Sequence, residues 1–306
     1  MYDEMNNFDE FSGTDQDKKS VLQNINISDK ISEVTDKLLK QLSGKEHRGK
    51  KRIIDNVVAF VGAAGGTGTS TIVANVAQRI ADKNFSVLVI DANICYPAQH
   101  IFFRVKQEIN KKDLVSYLTG KNTIGESIEY RGELGIMVAN NRNVRDYIDC
   151  DSSVVSNNMI ECIERVSTLF DLVIIDCTND LFHELTNSIL YKCNTIYCVW
   201  DEGISCVSNF ERFRNNLRIF GITTEKIKVI LNKKTNIYYR EAVFKSLNVD
   251  LIEVLPFDTA IIESGLQAEV FIKKGESTSK NAKEFVKSIN RLADKILMIG
   301  GYVDGQ

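Results

Sequence analysis

From residue 56 onward the chain alternates between two textures. Apolar runs at 57–61, 86–90, 134–139, 172–175, 195–200, 228–231 and 251–255 lack the polar residue at every second place that a half-wet strand shows. Such runs predict strands buried on both faces. Between most of them the apolar residues return at intervals of three and four. This predicts helices over 69–83, 155–169, 181–192, 205–220 and 237–247, and a last one over 279–298. Strands alternating with helices predict an α/β fold, a doubly wound and mostly parallel sheet flanked by helices. On the last helix, Ala282, Phe285, Val286, Ile289, Leu292, Ala293 and Ile296 share one face. We read that stripe as core packing rather than a membrane anchor. No internal repeat is visible.

The first 52 residues have a different texture. The opening eighteen are polar and acidic, a composition that favours a flexible tail. Ser28 and Asp29 stand where they would cap a short amphipathic helix over 30–42, and a basic run over 45–52 follows. That run reads as a solvated linker in preference to a contact for an anionic surface. The expected organisation is a tail over 1–52 and one α/β domain over 53–306.

Composition narrows the partners. A net charge of -3 gives no overall basic field for nucleic acid. No stretch of eighteen apolar residues is present to span a bilayer, and Met1 to Phe11 holds no apolar signal core. A cytoplasmic protein is expected. The seven cysteines contain no C-x-x-C pair and are expected to be buried, reduced thiols. Only two prolines occur, Pro97 and Pro256, so a proline in a functional loop stands out.

The strongest chemical signal runs from Gly62 to Thr71, Gly-Ala-Ala-Gly-Gly-Thr-Gly-Thr-Ser-Thr, between a predicted strand and a predicted helix. That is the setting of a phosphate-binding loop. Gly65, Gly66 and Gly68 allow a tight turn and a close approach of phosphate. The amides of Gly66, Thr67, Gly68, Thr69 and Ser70 would form an anion nest at the helix N-terminus. The Ser70 hydroxyl stands where a P-loop hydroxyl ligates Mg²⁺.

This segment resembles the deviant Walker A motif of the MinD/ParA family, K-G-G-x-G-K-[ST]-[ST]. Gly65, Gly66, Gly68, Ser70 and Thr71 match it, whereas Ala64 replaces the signature lysine and Thr69 the second lysine. The form without a second lysine is most similar to the TadZ/CpaE pilus-assembly branch. Further segments extend the resemblance over about 56–297. VLVIDANIC, ending at Cys95, resembles the second strand and switch I of the family, with Asp91 as its first acidic residue. Asn93 falls on the aspartate that positions the attacking water. FDLVIIDC resembles the Walker B strand, with Asp176 near Mg²⁺. VILN ends in Asn232, at the place of the asparagine that reads the base, and LPFD puts Pro256 and Phe257 in the loop that closes over adenine. The resemblance thus implies ATP and Mg²⁺ as ligands, with Ser70, Asp91 and Asp176 around the metal, and a homodimer across the nucleotide face.

The two lost lysines and Asn93 bear on turnover. A charge-assisted hydrogen bond contributes about 1.5–3 kcal/mol, so losing one weakens binding about 10- to 150-fold. Backbone amides and metal would still hold nucleotide. Phosphoryl transfer depends on charge stabilisation and a placed water, so hydrolysis is expected to be very slow or absent. Lys233 and Lys234 are candidates to substitute, though solvated surface lysines are the preferred reading. The leading expectation is therefore a nucleotide-binding scaffold or localisation factor serving protein partners in a membrane-associated, Tad-type pilus or secretion assembly. The alternative is an active ParA/MinD-type positioning or partition ATPase. Arg212, Arg214 and Arg218 could touch DNA, but a solvated helix face is the preferred reading and DNA is not the expected partner. A tyrosine kinase on the same scaffold is disfavoured because the C-terminal segment has Tyr302 alone and no tyrosine cluster.

Overall fold

The computed structural model describes residue 53 and residues 55–106, 113–235, 241–273 and 279–302. The expected tail, its helix and its basic run lie outside the described residues.

Eight strands form one sheet in the order β3-β4-β2-β5-β1-β6-β7-β8. They are β1 (Val57–Gly62), β2 (Val87–Asp91), β3 (Glu129–Arg131), β4 (Leu134–Met137), β5 (Leu172–Asp176), β6 (Thr195–Trp200), β7 (Ile227–Lys234) and β8 (Leu251–Pro256). All neighbours pair in parallel except β3 and β4, which are antiparallel. Every apolar run predicted as a strand is one. The short β3 was not foreseen, because Glu129-Tyr130-Arg131 is a polar edge segment.

Eleven α-helices occur among the described residues: α1 (Thr69–Ala81), α2 (Gln99–Phe102), α3 (Leu114–Leu118), α4 (Ile124–Ser127), α5 (Val144–Ile148), α6 (Ser152–Leu169), α7 (Glu184–Lys192), α8 (Ile204–Ile219), α9 (Glu241–Ser246), α10 (Thr259–Leu266) and α11 (Lys280–Ile299). The sheet separates them into two layers. Along β1, Val57, Ala59 and Val61 pack into one layer with α3, α6, α7 and α8. Val58 and Phe60 point the opposite way, against α1 and α11. This two-residue alternation, apolar on both sides, is what the unbroken runs foretold. Ile72, Val76 and Ile80 of α1 and Phe285, Ile289 and Leu292 of α11 are buried in that second layer. Each such side chain contributes about 1.5–3 kcal/mol when fully removed from water. The α11 stripe is thus core, with Val286 at its partly buried margin. No helix among the described residues is long and apolar enough to cross a membrane.

Five of the seven cysteines are buried, as expected. Cys150 is half-buried and Cys95 is exposed, because the latter lies in the loop after β2 rather than in a strand.

Candidate functional site

In a parallel sheet the carboxyl ends of the strands share one edge, where loops converge at the change of winding direction. Here those ends carry the glycine loop (after β1), Asp91 (β2), Asp176 (β5), Asn232 (β7) and Pro256 (β8).

The glycine loop is braced from several sides. The Ala63 amide donates to the Val199 carbonyl of β6 at 2.9 Å, and Asn209 of α8 donates to the Ala63 carbonyl at 3.1 Å. Gly62 must be glycine, since a Cβ there would lie 2.8 Å from Thr67 Oγ1 and 2.9 Å from the Ala64 carbonyl. Gly68 adopts φ 88° and is the N-cap of α1, with no side-chain cap. The first amides of α1 are therefore left for an outside acceptor. Around Gly65 and Gly66, space for a Cβ is open to at least 4 Å. Thr69 has no charge to offer. Its hydroxyl shares a hydrogen bond with Thr67 at 3.2 Å, inside the loop.

Asp91 and Asp176 face each other across the β2–β5 register and are both buried. Asp91 Oδ2 accepts from the amides of Ala98 (2.7 Å) and Gln99 (2.8 Å), and its Oδ1 accepts from Asn93 (3.2 Å). Asp176 Oδ2 accepts from Gln99 Nε2 at 2.7 Å, and the Ser70 hydroxyl lies near enough to favour the charged form of this carboxylate. Burial pushes both carboxyls well above the ordinary range, and for Asp91 the negative charge of Asp176 adds to it. Gln99 was not singled out in the sequence. It is fully buried, also donates to the Ser70 carbonyl at 3.1 Å, and leaves its Oε1 without a protein partner. Its only sequence signal is a polar residue at the start of a short helix.

Asn93 keeps its side-chain oxygen within its own loop, accepting from the Tyr96 amide at 3.3 Å. Asn232 is almost completely buried and donates to the Thr67 carbonyl at 2.8 Å. Its neighbour Lys233 reaches the Gly66 carbonyl with Nζ at 2.5 Å. Lys234, the other candidate cation, lines a separate cleft over β8 with Glu253, Glu284 and Arg291. Gly68, Thr71, Asn232, Lys233, Pro256, Phe257, Asp258 and Ile261 are among the residues lining one shallow, open cleft. The structure therefore brings together every predicted site residue along one edge, with Asn93 in the loop beside Asp91. The α8 arginines do not form one free basic face. Arg214 donates to the Leu247 carbonyl at 2.8 Å and lies 5.3 Å above the Phe210 ring.

Similarity to known proteins agrees with this geometry. A family model described as an AAA domain matches residues 55–221, more than half of the chain. The septum site-determining protein MinD of Thermotoga maritima is 23% identical over 245 residues, covering 76% of this chain and 88% of that protein. Among solved structures, MinD of Pyrococcus horikoshii complexed with Mg-ADP superposes with a TM-score of 0.68 at 21% identity, covering 82% of this chain and 99% of that one. A ParA family ATPase from Chlorobium tepidum gives 0.66 at 17% identity, covering 78% and 98%. With the loop, the paired aspartates and the strand order in place, the chain belongs to this AAA-domain family, as a MinD/ParA-type P-loop ATPase fold.

Proposed function

We propose that this chain is an ATP-binding, Mg²⁺-dependent scaffold or localisation factor with weak or no hydrolysis. The observation that carries the reading is the state of the loop beside the state of the carboxylates. Thr69, where the family holds a lysine, spends its hydroxyl on Thr67, while Asp91 and Asp176 keep their buried, facing arrangement. The groups that would bind nucleotide and metal are kept, and the loop itself no longer carries a lysine.

The residues fit the implied ligands. Two carboxylates whose protonation is favoured by burial, and for Asp91 also by the charge of Asp176, suit a divalent cation that neutralises them. No group of three or more His, Cys, Asp or Glu forms among the described residues. The remaining coordination would come from the Ser70 hydroxyl, water and phosphate oxygens, a donor set typical of Mg²⁺. The uncapped start of α1 suits phosphate, and the cleft by Asn232, Pro256 and Phe257 suits the base. Asn93, with a neutral side chain already engaged by Tyr96, is a weak anchor for an attacking water.

A homodimer across this edge is supported by Tyr96 and Ile204, apolar side chains 82% and 81% exposed in the segments just after β2 and β6. A Tad-type pilus or secretion assembly as the destination rests on the G-G-x-G-x-S-T pattern of the loop. DNA is a poor partner for a chain of net charge -3 with Arg214 committed internally. The alternative, an active positioning ATPase, draws on family membership and the intact carboxylate pair. Calorimetric titration of ATP·Mg²⁺ together with steady-state phosphate release separates them. Binding without release supports the scaffold, release at rates like those of active relatives supports the alternative, and no binding contradicts both.

A further inference from the structure

The position of Lys233 follows from a distortion of its strand. β7 pairs with β8 from Val229 to Leu231 and again at Lys234, with one register shift between Val229 and Ile230 and a second between Leu231 and Lys234. Within that bulge Lys233 adopts φ 55°, a left-handed conformation that non-glycine residues rarely take. Strained backbone of this kind collects at ligand clamps and persists because neighbouring contacts impose it. Two such contacts are present. Asn232 is buried and anchored to the Thr67 carbonyl, and its Nδ2 fills the space where a Gly68 Cβ would stand, 2.5 Å away. The bulge then turns the next side chain over the loop, where Nζ meets the Gly66 carbonyl at 2.5 Å.

The charge on Lys233 is otherwise unmet. Lys83, Lys121, Lys192, Lys228 and Lys295 each pair with a carboxylate, whereas Lys233 pairs with none among the described residues. A neutral carbonyl takes one of its three N–H donors and leaves two. Lys233 also lines the cleft that Gly68, Thr71, Pro256 and Phe257 share.

Resting on the proposed nucleotide binding, we infer that Lys233 supplies in this chain the cation that Ala64 and Thr69 do not. Its ammonium pairs with phosphate oxygens of a nucleoside di- or triphosphate held over the loop. A lysine is a compact charge on a flexible stem, so it reaches the phosphates from a neighbouring strand without a change in the loop.

The test titrates ADP·Mg²⁺ and, separately, adenosine into the full chain and its Lys233→Ala, Lys233→Gln and Lys233→Arg variants. A charge-assisted contact predicts that Ala and Gln weaken ADP binding by about tenfold or more, that Arg stays within about threefold, and that adenosine affinity is unchanged. Wild-type ADP affinity in the Gln variant overturns the inference, because a neutral donor to Gly66 then suffices. Equal ADP affinity of wild type and the Ala variant overturns it too, while leaving nucleotide binding intact. Failure of the wild type itself to bind ADP overturns the nucleotide reading and the inference together.

Discussion

Gln99 donates its side-chain amide to Asp176 Oδ2 at 2.7 Å from a fully buried position, while its backbone amide donates to Asp91 Oδ2 at 2.8 Å. One residue thus bridges the ends of β2 and β5. Gln99→Leu removes the side-chain donor and leaves a buried carboxylate short of a partner, at a cost of about 1–3 kcal/mol. Urea unfolding without Mg²⁺ is expected to show this loss, and saturating Mg²⁺ to recover part of it. A variant as stable as wild type in metal-free buffer would refute the bridging role.

The same pair sets a pH dependence. Both carboxyls have folded-state pKa values raised above their unfolded values, by burial first. The native state therefore binds more protons than the unfolded chain at intermediate pH, and the pair's contribution to stability falls as pH rises from the ordinary carboxylate range, roughly 4, through about 6 for Asp176 and about 8 for Asp91. Urea midpoints of wild type and Asp91→Asn, compared at pH 5.5 and 8 without metal, isolate this effect. Wild type should lose more stability than the variant on going to pH 8, and Mg²⁺ should close the difference. An equal loss in both proteins would contradict it.

Two glycine substitutions should part stability from binding. At Gly68 a Cβ meets Asn232 at 2.5 Å on a backbone at φ 88°, so Gly68→Ala is expected to lower the melting temperature and abolish nucleotide binding. At Gly65 nothing lies within 4 Å of the added Cβ. Gly65→Ala should keep stability within about 0.5 kcal/mol, as surface changes usually do, and still weaken ATP binding by filling space meant for phosphate. Thermal scanning and calorimetry on the same samples check both.

Restoring the loop lysine is a gain-of-function test. Thr69→Lys sacrifices only the hydroxyl contact to Thr67 and adds a cation, which should tighten ATP·Mg²⁺ binding by about tenfold or more. If Lys233 already serves the phosphates, the gain is larger in a Lys233→Ala background than in the wild type. A double-mutant cycle on the four proteins reads this coupling directly.

Much of this architecture was legible from single runs of residues. VVAFV, VLVI and LVII announce strands buried on two faces, and the glycine spacing announces the loop between β1 and α1. The elements that escaped are short or polar. β3 has three residues on the sheet edge, and α2 to α5 span at most five residues each, too few to establish a helical period. α10 escaped although Asp258 caps it, accepting from the Ala260 amide at 2.9 Å. At the site, the residues announced by a motif lie along one edge of the sheet, but the placing of Gln99 and the aim of Lys233 were not legible. Their meaning comes from tertiary contacts, with Asp176 77 positions away and with Gly66 167 positions away, which no local pattern encodes.

The central claim is that the loop binds ATP yet does not cleave it. Single-turnover chemistry tests it most directly. Radiolabelled ATP·Mg²⁺ is mixed with protein in excess over both nucleotide and the dissociation constant, and ADP formation is followed by acid quench. The account predicts bound nucleotide that remains ATP over hours. Conversion within minutes would contradict it and make the chain a working ATPase.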